Sequence, residues 1–208
     1  MQEIEYFYAA HSAFAYLGSE RFMAIAAAAG RRIAHKPVDL RRVVAEAGAV
    51  PFGRRTRAHA EYFFGREIER WSEERGAPWI GRIPTHHAKD IALPNGMLIA
   101  GITLGLNIDR LAHTLLEAHW RDDADLADRS SLAAIGQRAG IDPSPLLDAA
   151  LSTEVQAIYQ ANTEEAIRRS VFGSPTYFVD GDMFYGQDRL EMLERSLRSP
   201  YAGQWPRP

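Results

Sequence analysis

Glu3 to Tyr8 alternates polar and apolar positions and is rich in aromatic residues, which predicts a first strand. His11-Ser12 then opens an alanine-rich stretch that runs to about Ala29 and is stopped by Gly30. Its Ala, Leu, Met and Phe residues are spread around the helix rather than held in one stripe, so this helix should be buried on more than one side. Ser12 has the chemistry of its N-cap, with the hydroxyl at the positive end of the helix dipole. Arg32 to Val38 reads as a second strand ending near Pro37. Strand, helix and strand in that order predict a parallel pair joined by a right-handed crossover.

The pattern changes after Leu40, and no strand signal appears before Ser170. From Thr56 to Arg75 it is helical, with Glu61, Glu67 and Glu69 interleaved with Arg66 and Arg70 on a solvated face. The stretch GAPWIGRIPTHHAKDIALPNG carries three prolines and several glycines and predicts a loop. Helices are expected from about Met97 to Trp120, Ser131 to Ala139, Pro145 to Leu151 and Thr153 to Arg169, with a stop and restart at Asp142-Pro143. Pro175 to Asp180 and Met183 to Tyr185, with a turn at Gly181-Asp182, predict a hairpin. An amphipathic helix from Gln187 to Leu197 closes the chain. The order is βαβ, a helical insertion, a helix, then ββα, which thioredoxin-like folds share. We therefore expect an α/β chain in which residues 1–40 and 165–208 form one thioredoxin-like domain. Residues 41–164 form an all-helical insertion domain.

Composition removes whole classes of chemistry. The 208 residues include no cysteine, which excludes a disulfide framework, a zinc-thiolate site, a cysteine nucleophile and protein-borne dithiol redox chemistry. A net charge of -3, with arginines mixed among glutamates, gives no basic block and no pull toward nucleic acid. No apolar run is long enough to span a bilayer. The first residues read as a strand and not as a signal peptide, so a cytoplasmic location is expected.

Three local features carry candidate chemistry. The hydroxyl of Ser12 and the free backbone N–H groups at a helix start make an anion site, and a thiolate is such an anion. Read alone, Ser12 is also a simple cap. In Gly173-Ser174-Pro175-Thr176 the proline must lie at the start of a strand. A cis bond there would leave the N–H and C=O of Ser174 facing outward for an extended peptide; a trans proline ending a loop is the alternative. In Gly186-Gln187-Asp188-Arg189, Gln187 and Asp188 fall in the first turn of the last helix, among N–H groups that favour a ligand carboxylate. Asp188 is suited to accept from an ammonium group, and equally to being an ordinary first-turn acid.

The stretches YFYAAHSAFAYLG and VFGSPTYFVDGDMFYGQDRLEML resemble the 2-hydroxychromene-2-carboxylate isomerase family, close to kappa-class glutathione transferases and DsbA disulfide oxidases. The resemblance covers nearly the whole chain, with the C-terminal stretch the more specific. It implies glutathione as cofactor, with its sulfur at Ser12, its cysteinyl unit on Ser174 before a cis Pro175, and its γ-glutamyl end at Gln187 and Asp188. It also implies an aromatic keto-acid substrate and a homodimer. Two departures stand out. Ala13 replaces a proline common in the family, and no asparagine and lysine stand ahead of RTRAHAEY, where Val50, Arg55, Arg57 and His59 are the nearest candidates. The implied activity is glutathione-dependent isomerisation by reversible thiolate addition. A kappa-like transferase acting on small electrophiles, or a non-catalytic binding module, are the alternatives.

Other conspicuous residues have plainer readings. His86-His87 are adjacent and have no carboxylate at ligand spacing, so no metal is expected. Asp122, Asp123 and Asp125 read as a solvated acidic turn, and Trp71, Trp79 and Trp120 as core or interface residues. If the loop from Trp79 to Pro94 walls the substrate cleft, Arg82, His86 or Lys89 would meet a substrate carboxylate.

Overall fold

The computed structural model describes residues 2–47, 50, 52–203 and 205. The first strand, β1 (Glu3–Tyr8), leads through α1 (Ala13–Ala28) to β2 (Arg32–Pro37). β1 and β2 pair in parallel, as the crossover rule requires. Helix α1 ends in a Schellman motif: Gly30, at φ +62°, donates to Ala27 O, and Arg31 donates to Ala26 O. A short α2 (Leu40–Glu46), which the sequence pattern did not announce, is capped by Asp39, whose carboxylate accepts from Arg41 N and Arg42 N. After it come α3 (Arg57–Glu61), a π-helical turn over Tyr62–Arg66, and α4 (Glu67–Arg75).

The expected loop before Met97 is shorter than its prolines and glycines suggest. Helix α5 (Ala92–Thr103) already contains Pro94, Asn95 and Gly96. Pro94 lies in the first turn, where its missing N–H would have had no intrahelical partner. The single helix expected from Met97 to Trp120 is two. Gly105, at φ +73°, donates to Ile102 O while Leu106 donates to Gly101 O, ending α5 before α6 (Asp109–Asp122) begins. Then follow α7 (Arg129–Arg138), α8 (Pro143–Ala149), started by Asp142 as cap and Pro143 at N1, and α9 (Thr153–Arg168). Among the described residues no strand interrupts this helical stretch.

The hairpin is β3 (Thr176–Val179) and β4 (Asp182–Tyr185). Its turn residues are Asp180 and Gly181, one position earlier than expected, at φ +50° and +94°. Positive φ at both matches the right-handed twist of the strands. A 3₁₀ turn over Gln187–Arg189 runs into α10 (Leu190–Arg198). The strand order is β2-β1-β3-β4, with β3 antiparallel to both β1 and β4.

The strand alternation divides the core. Ile4, Tyr6, Tyr8, Tyr177 and Val179 pack on one face with Phe22 and Ile25 of α1 and Leu190 and Leu193 of α10. Phe7 and Phe178 point to the other face, against Val43 of α2 and Ala166 of α9. Helices α5 to α8 extend the first of these clusters, so the helical stretch shares its core with one face of the sheet. This is a thioredoxin-like fold. Among the described residues no helix is long and apolar enough to cross a membrane.

Candidate active site

The site lies where the start of α1 meets the turn before β3. Ser12 caps α1 by accepting from Ala15 N at 3.3 Å, and its hydroxyl donates to Ser174 O at 3.2 Å. The Ser174 hydroxyl accepts in turn from Ala9 N at 3.2 Å. The Ser174–Pro175 bond is cis. Residues separated by 162 positions are thereby tied through one carbonyl. The Ser174 C=O does not simply face outward, because Ser12 already occupies it.

A cavity of about 420 Å³ opens beside this pair. Phe63, Phe64, Phe172, Trp120, Leu40 and Val44 give it apolar walls, and Arg41, Arg55, His11 and His87 give it polar ones. Arg55 stacks its guanidinium over the Phe63 and Phe64 rings, 5.2 and 5.1 Å from their centroids. Both rings come from the π-helical turn, an irregularity often found at functional sites.

A second cleft of about 240 Å³ shares Phe14, Phe63, Ser174 and Tyr185 with the first and is completed by Gln187, Asp188, Arg189, Glu67 and Trp71. Gln187 is 1 % exposed. Its Oε1 accepts from Arg75 Nε at 3.1 Å, and its Nε2 is buried without a hydrogen-bond partner. A buried amide with an unused donor is costly unless a ligand completes it. Gly18 of α1 permits this placement, since a Cβ there would come within 2.6 Å of Gln187 Cβ. Asp188 is exposed and pairs with Arg189 at 2.8 Å. Of the five residues singled out from the sequence, Ser12, Ser174, Gln187 and Asp188 line the two adjoining lobes of this cleft, and Pro175 lines neither.

The charged residues assigned to the cleft's loop lie elsewhere. Arg82 pairs with Asp123 at 2.5 Å, and Lys89 pairs with Asp125 at 2.5 Å with His86 close to the same carboxylate. His87, adjacent to His86, is the loop residue that enters the cavity, together with Arg41 from α2. Of the candidates around the start of α3, Arg55 reaches the cavity, whereas Val50 and His59 are exposed and Arg57 pairs with Glu61 at 2.6 Å. No local pattern marks Arg41 or His87; only the fold brings them beside His11 and Ser12. Among the described residues no group of three or more His, Cys, Asp or Glu side chains is arranged to hold a metal ion.

Residues 3–198 match the family model of the DSBA-like thioredoxin domain, and the chain belongs to that family. A 2-hydroxychromene-2-carboxylate isomerase of Pseudomonas putida is 27% identical over 197 residues, covering 93% of each chain. The solved structure of a 2-hydroxychromene-2-carboxylate isomerase superposes with a TM-score of 0.77 at 25% identity, covering 95% of each chain. The cytosolic disulfide reductase DsbM of Pseudomonas aeruginosa, solved with GSH, shares the fold at a TM-score of 0.66 and 17% identity, over 94% of this chain and 99% of that one. The resemblance read from the two end segments thus extends over nearly the whole chain.

Proposed function

We propose that this protein is an isomerase that uses glutathione to interconvert 2-hydroxychromene-2-carboxylate, or a close aromatic relative, with its trans-o-hydroxybenzylidenepyruvate form. The single observation that carries this reading is the two-lobed cleft. It sets the Ser12–Ser174 pair between an aromatic cavity and a polar lobe containing an unsatisfied Gln187 amide.

Glutathione, when bound, supplies a thiolate that adds reversibly to a conjugated double bond and so permits rotation. The chain's own residues do the rest. Ser12 has one hydroxyl hydrogen, now given to Ser174 O. Turning it toward a sulfur favours the thiolate, as does the start of α1, and frees the Ser174 carbonyl for a ligand N–H. The Gln187 Nε2 and the Asp188 carboxylate suit the carboxylate and ammonium of a γ-glutamyl group. Arg55 suits the glycine carboxylate, replacing the lysine contact the family uses elsewhere. Phe63, Phe64, Phe172 and Trp120 offer ring faces to an aromatic substrate, and Arg41 offers a cation to its carboxylate.

The test follows the ultraviolet spectrum of a chromene carboxylate with and without glutathione. A glutathione-dependent shift toward the open-chain isomer is expected. No such change, with turnover of a chloro-nitroaromatic instead, would replace the isomerase with a conjugating transferase.

A further inference from the structure

Three histidine rings stand in series, the first two lining one wall of the cavity, and the reading above uses none of them. His11 comes from the turn before α1, His87 from the loop before α5, and His119 from α6. The His11 and His87 ring centroids are 4.8 Å apart, and those of His87 and His119 are 5.3 Å apart and nearly parallel. Trp120 closes on His87 edge to face at 5.3 Å.

The hydrogen bonds fix where each proton sits. Ala124 O only accepts, so His119 Nδ1, 3.1 Å away, carries the hydrogen. In a neutral His119 the other nitrogen, Nε2, then has a lone pair. His87 Nδ1, 3.0 Å from it, must donate. A neutral His87 is left with a bare lone pair on Nε2, the reverse of the tautomer that predominates in a free histidine side chain. The neutral form is the one this environment imposes. Burial, reinforced by His119 and Arg41, pushes His87 down to about 4, and burial also lowers His119. His11 is driven well below its usual range by burial, then by His87 and His119, and its Nδ1 is buried with no hydrogen-bond partner. The charged groups around His87 are Arg41 from α2 and, through the neighbouring His86, Asp125, which Lys89 already pairs.

We propose that His87 is a catalytic base of this cavity, that His119 is its positioning residue, and that the pair opens and closes the chromene ring. This rests on the isomerase reading. His87 Nε2 takes the proton of the C2 hydroxyl of the hemiketal. The bond from C2 to the ring oxygen breaks, its electron pair stays on the aryl oxygen, and C2 becomes the keto carbon. The imidazolium then returns the proton to the aryl oxide, giving the phenol. Atoms and charge balance, and no oxidant or co-reactant is consumed. Arg41 is both a group that weakens His87 as a base and the cation proposed for the substrate carboxylate. Pairing of the two neutralises Arg41, so substrate binding itself makes His87 more basic.

Two measurements test this. In long-range ¹H–¹⁵N spectra of the labelled protein at pH 7, His87 and His119 should both be neutral and carry hydrogen on Nδ1. His119→Phe should return His87 to the Nε2–H form. A wild-type His87 that is charged, or protonated on Nε2, overturns the proposal. The second measurement compares turnover of the chromene with cis-o-methoxybenzylidenepyruvate, which cannot close its ring, at saturating glutathione. His87→Gln should lower the ratio of the two rates by about 100-fold, the usual scale of general acid–base catalysis. Equal loss on both substrates would mean that His87 only supports the site, and would overturn its role as base. Failure of the isomerase reading has its own signature, a wild-type protein inert on both substrates, and it takes the ring-opening step with it.

Discussion

The Ser12 hydroxyl plays two parts, one as acceptor and one as donor. Its oxygen caps α1 through Ala15 N, and its O–H holds the Ser174 carbonyl. The two roles separate under mutation. Ser12→Ala should cost about 1 kcal/mol of stability through the lost cap, read as a modest fall in Tm. With glutathione saturating it should also lower the rate by 10-fold or more. A rate equal to wild type would remove Ser12 from the chemistry and leave it a cap alone. The serine was visible in the sequence because capping is local, and its partner was visible because Gly-Ser-Pro-Thr resembles a family signature. The histidines were not. His86 and His87 are chain neighbours, yet one lies by Asp125 and the other enters the cavity, and nothing within a few residues of either decides which.

At the level of elements, α5 ties the helical stretch to the sheet through one buried polar residue as well as through the shared core. Asn95 is fully buried; its Oδ1 accepts from Ala10 N at 3.0 Å, and its Nδ2 donates to Val38 O at 3.3 Å and Tyr159 OH at 3.1 Å. One amide thus holds the turn that precedes Ser12, the end of β2 and helix α9. Replacing it with leucine keeps the branched shape and the number of side-chain heavy atoms but leaves buried backbone groups unpaired. Asn95→Leu should therefore cost on the order of 3 kcal/mol, measured by denaturant unfolding. The Pro-Asn-Gly run that contains it predicts a loop by composition. In the fold it is helical, because Pro94 sits where no N–H is needed and Gly96 packs against the Ala150 carbonyl, where a side chain would clash. Helix α2 was missed for a related reason: it is only seven residues long and buries Leu40, Val43 and Val44 against distant partners.

Across the whole molecule, β1, β2 and α9 are bound by a charge network. Glu5 meets Arg169 at 2.8 Å and Lys36 at 2.9 Å, and Glu165 pairs with the same two cations at 2.8 and 2.7 Å. The Arg169 guanidinium first, then Lys36, holds the Glu5 carboxyl down to about 2 against the opposing effect of burial. A carboxyl depressed in the folded state contributes stability above its unfolded value, near 4.5, and loses it as pH falls toward 2. Glu5→Gln should therefore lower Tm relative to wild type at pH 6 to 7, and the gap should close as pH drops from about 4.5 to 2. A gap that stays constant across that range would show that the network's charge contributes nothing.

The strands, the parallel crossover, most of the helices and the hairpin follow from short-range patterns: alternation in twos, apolar spacing near 3.6, caps and stops. These forces act within a few residues, so the chain displays them directly. The cleft is different in kind. Ser12 and Ser174, Gln187 and Arg75, and His87 and His119 lie 162, 112 and 32 positions apart. Whether each pair meets depends on packing that no local stretch encodes. A family signature marked the serines and Gln187 in advance. Arg41 and the histidine series took their places only when the helices closed over the sheet, where burial and a single backbone carbonyl determine which nitrogen carries the proton.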